Sequence, residues 1–141
     1  IFDGPPPEIN LVNEKNNGLA VLQLIRDNLV MSAHDISSGG MLVSLSEMSI
    51  HSGLGLKIYK PKKLLNLFEY FFGEDQGRYL IEISKNNLKK IETFLKKNNV
   101  FFEVIAEVQN DTFEIEKTFG LKIKDLHNYN NQWYSKYNAV N

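Results

Sequence analysis

The chain has 141 residues, 16 of them Lys or Arg against 17 Asp or Glu, a formal net charge of −1 and no cysteine. That length buries a working core without disulfides or metal, and near-neutrality gives no pull toward nucleic acid or an anionic membrane. The missing cysteine excludes a disulfide scaffold, a thiolate metal site and a cysteine nucleophile.

No apolar run is long enough to span a bilayer and no secretory leader is visible, so a soluble, cytoplasmic protein is expected. The opening Ile1-Phe2-Asp3-Gly4-Pro5-Pro6-Pro7-Glu8 reads as a linker, because consecutive prolines extend the backbone and forbid a helix. Residues 1–12 are expected to join a missing N-terminal region to a single domain over 13–141. A chain that starts at Ile1, in mid-linker, reads as a piece of a longer polypeptide.

Asn13 to Asn28 reads as a helix, with Leu19, Leu22 and Ile25 as its apolar stripe and Val21 and Leu24 beside them. The run Leu29 to Met31, with Ala33, reads as a buried strand that stops at His34-Asp35. After the turn Ser37-Ser38-Gly39-Gly40, the residues Met41, Leu45 and Met48 recur at helical spacing, and Ser52-Gly53 closes that helix. Gly55 to Tyr59 is expected as a strand. Pro61 is placed to open a third helix, with Leu64, Leu65, Phe68, Phe71 and Phe72 on its buried side. Gly77 to Ile83 alternates as a strand does, and Ser84 caps a fourth helix through Lys97 with Leu88, Ile91, Phe94 and Leu95 inward. Val100 to Val108 and Thr112 to Glu116 read as a hairpin across Gln109-Asn110-Asp111. Leu121 to Ile123 gives a short strand. Asp125 then caps a terminal helix with Leu126, Tyr129, Trp133 and Tyr137 on one face, Trp133 as a packing anchor. The pattern predicts an α+β, two-layer domain with a mixed, largely antiparallel sheet covered by helices.

The stretch with the most chemistry runs from Ser32 to Met48. A strand, a polar turn, paired glycines and a helix make a recurring anion cradle: the helix N-terminus offers unpaired N–H groups, and the glycines let a phosphate approach the backbone. Asp35 stands beside that phosphate position, where a carboxylate holds a cation such as magnesium. The same residues also make an ordinary helix N-cap through Ser37 or Ser38, with His34-Asp35 a strand-end pair bonded to backbone. Chemistry alone leaves both readings open. Arg78, in Phe72-Gly73-Glu74-Asp75-Gln76-Gly77-Arg78-Tyr79-Leu80, is placed either to reach a phosphate or a domain interface, or as an exposed strand residue. His51 and His127 have no companion at metal spacing, and Ser44 and Ser46 have no base spaced to activate them.

His34-Asp35-Ile36-Ser37-Ser38-Gly39-Gly40-Met41, with the helix ending Ser46-Glu47-Met48, resembles the C-terminal domain of the phosphoribosylformylglycinamidine synthase family. That family lies within the aminoimidazole-ribotide-synthetase-like superfamily of ATP-using enzymes. Phe72 to Leu80, and the entry through Pro5-Pro6-Pro7, Asn17-Gly18, Leu22, Leu24 and Ile25, are similar to blocks of the same domain, so the likeness runs from about Gly4 to Ile83. The pattern departs at Ser38, where the family usually has an acid; if that acid helps bind a cation, this copy lacks one ligand.

The resemblance implies one part of an ATP-dependent C–N ligase of purine biosynthesis. ATP activates the formamide oxygen of formylglycinamide ribonucleotide as an iminophosphate, and ammonia, drawn from glutamine by a separate glutaminase subunit or domain, displaces phosphate. It implies ATP and Mg2+ for the whole enzyme, with the remaining domains of that enzyme as partners and no role for nucleic acid or membrane. This domain would carry no catalytic residue and be inactive alone. His34, Ser37, Gly39, Gly40 and Arg78 are the implied phosphate or nucleotide contacts, and Asp35 the implied metal ligand. The competing expectations are a stand-alone binding module that kept the fold and lost the chemistry, and another ATP-using member of the superfamily.

Overall fold

The computed structural model of the chain describes residues 8–61 and 66–138; the expectations placed on Pro5–Pro7, Leu64 and Leu65 lie outside the described residues. In chain order the elements are α1 Leu11–Arg26, β1 Ser32–Asp35, α2 Gly40–Ser52, β2 Gly55–Ile58, α3 Leu67–Phe72, β3 Tyr79–Glu82, α4 Leu88–Lys97, β4 Ala106–Gln109, β5 Thr112–Ile115, β6 Phe119–Lys122 and α5 Ile123–Asn138. They gather into two compact units, one made of Ile1–Ser44 and Asn66–Glu103, the other of Leu45–Leu65 and Val104–Asn141. The fold class is α+β, as the pattern predicts, and the described strands lie in two sheets, β1-β3 and β4-β2-β5-β6.

In the first unit, α1 begins where the Asn10 side chain accepts the Asn13 amide at 3.0 Å, two residues ahead of the expected start. Its end follows a physical rule that explains a misread strand. Asn28 takes a left-handed φ of 54°, its N–H donates to the Ile25 carbonyl, and the Leu29 N–H donates to Leu24, each at 3.0 Å. This pair of hydrogen bonds closes the helix and turns Leu29 inward beside Leu24 in the core. Leu29 is therefore the apolar plug of a helix end, and the strand begins only at Ser32. The end of α4 repeats the device: Asn99 has φ 54°, and the Val100 N–H donates to Leu95 at 3.0 Å. Val100 is thus another plug, and β4 begins at Ala106, not at Val100.

The core of this unit joins Ala20, Leu24, Leu29, Ile91 and Leu95, with Val30, Ile81, Ile83, Phe94, Val100 and Phe102 packed against it. The stripe predicted for α1 is turned: Leu24 and Ala20 are buried, whereas Leu19, Leu22 and Ile25 face outward. Helix 3 also differs from its prediction. The described helix starts at Leu67 behind Asn66, whose side chain accepts the Phe68 amide at 3.0 Å. Phe71 is buried, while Phe68 and Phe72 are exposed and stack with ring centroids 6.2 Å apart. β1 and β3 pair antiparallel, Ala33 opposite Ile81 and Asp35 opposite Tyr79.

In the second unit, β4 and β5 do not form the predicted hairpin. β2 lies between them, antiparallel to β4 and parallel to β5, and β5 pairs antiparallel with β6. The connection Asn110-Asp111 must cross the end of β2, and Gly55 is what lets it pass. The Gly55 N–H donates to the Asn110 carbonyl at 2.9 Å, and a Cβ on Gly55 would stand 2.2 Å from the Thr112 oxygen. The Gln109 amide nitrogen donates to the Thr112 carbonyl at 2.7 Å, tying the crossing. Leu56, Ile58, Phe113 and Ile115 are buried, and they pair Leu56 with Phe113 and Ile58 with Ile115 across the parallel strands.

Helix α5 starts at Ile123, so Asp125 lies in its first turn and not at its cap. Ile123 is buried, but the predicted inward face is not: Tyr129, Trp133 and Tyr137 are 74%, 59% and 75% exposed. Trp133 meets Tyr134 edge-on at 5.6 Å between centroids, within its own helix.

Candidate functional site

The candidate site grows from the end of β1. Asp35 closes the strand with its side chain 69% exposed, and the His34 ring beside it is half-buried, at 33%. His34 Nδ1 lies 2.6 Å from the Asp35 carbonyl oxygen and 3.7 Å from its Oδ1. The imidazole is thus turned onto the backbone of its neighbour, and the Asp35 carboxylate is left open on one side. Ser44 Oγ donates to the same carbonyl at 3.2 Å and lies 3.3 Å from the Gly40 carbonyl. A buried hydroxyl from α2 therefore anchors the strand end; the serine's place one turn after Gly40 signals only its approach to the Gly40 carbonyl.

The turn itself needs glycine twice. Gly39 and Gly40 have φ of 83° and 72°, the left-handed region that other residues rarely enter. A Cβ on Gly40 would also stand 2.6 Å from the Phe72 carbonyl carbon. The Gly40 N–H donates to the Ser37 carbonyl at 3.0 Å, so Ser37 closes the turn through its backbone. Ser37 and Ser38 are exposed.

The Gly39 N–H, which the sequence marks for a phosphate, donates at 2.7 Å to Glu74 Oε1. Arg78 does not reach across to the turn with its guanidinium: Nη2 donates to the Gly73 carbonyl and sits 3.1 Å from Asp75 Oδ2. Its backbone does meet the turn, since the Ile36 N–H donates to the Arg78 carbonyl at 2.9 Å. The structure thus brings His34, Asp35, Ser37, Gly39 and Gly40 together and sets Arg78 behind them. Glu74, absent from the predicted contacts, is in the middle.

Nearby, Tyr70 donates its hydroxyl to Glu103 Oε2 at 3.2 Å. Burial, then the Glu103 charge and the hydrogen bond to it, push this phenol up to about 12, against a smaller opposing pull from Arg78.

A cation and a phosphate fit this arrangement only in part. Among the described residues no three His, Asp or Glu side chains gather as a metal cage. The exposed Asp35 carboxylate is a hard-oxygen donor, which suits magnesium held jointly by one carboxylate and the phosphates of a ligand.

Three comparisons place this geometry among known proteins. The model of the family described as AIR synthase related protein, C-terminal domain, matches residues 3–117. The chain belongs to this family. It is 45% identical over 135 residues to phosphoribosylformylglycinamidine synthase subunit PurL of Pelagibacter ubique, covering 96% of this chain and 18% of that relative. Among solved structures, PurLQS from Thermotoga maritima aligns over 85% of this chain and 22% of its own at a TM-score of 0.73 and 22% identity. Thermotoga maritima PurL complexed with ATP aligns over 80% of this chain and 21% of its own at 0.69 and 22%. At such identities these two matches speak for the fold, which is that of the AIR synthase C-terminal domain. The chain spans less than a fifth of the length of the curated relative it matches.

Proposed function

We propose that this chain serves as the C-terminal AIR-synthase-type domain of a cytoplasmic phosphoribosylformylglycinamidine synthase. The enzyme would amidate formylglycinamide ribonucleotide with ATP, Mg2+ and ammonia from a glutaminase partner. The observation that carries the reading is the 45% identity to a PurL subunit, sustained over 96% of the chain. The domain's own contribution is to line a nucleotide cleft that other domains complete. Asp35 gives one carboxylate to a magnesium ion shared with phosphate, and the left-handed Gly39-Gly40 backbone lets a phosphate come close to the start of α2. Ser37 and His34 border that approach. On this reading the domain is inactive alone, because the cleft it lines is completed by other domains.

The test is a replacement. The matching region of the Pelagibacter subunit is exchanged for this chain, and ATP-dependent consumption of formylglycinamide ribonucleotide is followed with free ammonia as nitrogen donor. Activity of the parent's order is expected, with Asp35→Ala lowering it sharply. A chimera that melts like its parent and consumes no substrate overturns the reading. In that event the Glu74 carboxylate on the Gly39 amide favours the second reading, a binding module whose phosphate position is closed by its own chain.

A further inference from the structure

One segment, Phe72 to Arg78, holds the turn at three places. The Ile36 N–H donates to the Arg78 carbonyl at 2.9 Å. Gly40 lies so close to the end of α3 that an added Cβ would meet Phe72 Cα at 2.7 Å and the Gly73 oxygen at 2.9 Å. The third hold, from the Gly39 N–H to Glu74 Oε1 at 2.7 Å, differs in kind. It is a charge-assisted hydrogen bond from the turn amide just ahead of α2 to a carboxylate, stronger than a neutral one. No acidic residue lies in the first turn of α2 itself, so this negative partner comes from 35 residues away. The loop that delivers it is braced in turn by Arg78, through the Gly73 carbonyl and the Asp75 carboxylate at 3.1 Å.

We propose that Glu74 is the positioning residue of the candidate site: its carboxylate fixes the Gly39 amide and so sets the path of the Asp35–Gly40 turn. Arg78 braces the loop that carries Glu74 through its Nη2. The effect on turnover rests on the function proposed above; the effect on the turn does not. Glutamine keeps an oxygen acceptor at the same reach, whereas alanine removes it, so the two substitutions separate the bond from mere occupancy of the loop.

The first readout is amide hydrogen exchange at Gly39, by heteronuclear NMR on the full chain. Glu74→Ala is expected to speed exchange there by about tenfold or more, the size expected for loss of a hydrogen bond to a charged group. Leu24 and Ile91 in the core should keep their protection, and Glu74→Gln should restore most of it at Gly39. Unchanged exchange at Gly39, or a rise spread equally over the core, overturns the proposal. The second readout is the chimera. Glu74→Ala is expected to raise KM for ATP more than it lowers kcat, with Glu74→Gln recovering it. A fully active Glu74→Ala chimera overturns the positioning role while leaving the proposed function intact. An inactive parent chimera counts against the function alone, and the exchange result still decides the part played by Glu74.

Discussion

Tyr70 shows how a single contact sets a pH window. Its phenol rises from 10.0 to about 12 in the folded chain, first because it is partly buried and then because Glu103 faces it. The unfolded chain sheds this proton near pH 10 while the folded one keeps it, so the unfolded state binds fewer protons in between. The stabilising contribution is complete below pH 10 and is lost as pH rises from there toward 12. In a phenolate absorbance titration, one of the six tyrosines should ionise late, and Tyr70→Phe should remove that late step. The same substitution should flatten the fall of the urea midpoint across the window. Gly40 is a second position where one atom decides. Alanine there would meet both a left-handed φ of 72° and the Phe72 backbone at 2.6 Å, so Gly40→Ala should cost about 2–4 kcal/mol in urea unfolding, from strain and overpacking together. The two glycines were legible in the sequence as a turn, and their conformation agrees. Glu74 was not legible as their partner, because a hydrogen bond across 35 residues leaves no local periodicity to read.

At the scale of elements, α2 falls close to where spacing puts it and α4 ends at Lys97 as expected, but Ser84 caps a 3-10 turn, Lys85–Asn87, and α4 itself begins at Leu88 with no side-chain cap. Strands fared worse where an apolar run had another use. Leu29 and Val100 look like strand beginnings, yet each is the inward residue that follows a left-handed asparagine at a helix end. The predicted β4–β5 hairpin failed for a different reason: a short polar connection suggests adjacency, yet β2 pairs with both strands and passes between them, with Gly55 making room for the crossing. Gly55→Ala tests that account. With the Thr112 oxygen 2.2 Å from the new carbon, the crossing must shift, and a loss of about 1–3 kcal/mol is expected by chemical denaturation. Exchange should be faster at the Gly55 amide and along β5, and slower nowhere.

For the whole molecule, family membership could be read from the Ser32–Met48 stretch and the Phe72–Leu80 block, which meet at one turn in space. What the sequence left unread is which amide already has a partner. Under the proposed function, a chain that spans 18% of its relative would bring one wall of a nucleotide cleft that other domains complete. The isolated chain should therefore bind Mg-ATP weakly or not measurably by calorimetry; submicromolar binding abolished by Asp35→Ala would count against that. The strand order also bears on how the chain acquires its structure in time. Leu56 of β2 and Gln109 of β4 are bonded across 53 residues, and β2 receives both of its neighbours from the last third of the sequence. On the ribosome β2 emerges long before either neighbour exists, so the central strand of the sheet waits with both edges open. Such distant pairing makes folding slow and leaves the nascent chain open to wrong partners. The four-stranded sheet can close only after β6, Phe119–Lys122, its last strand in sequence order, has been made.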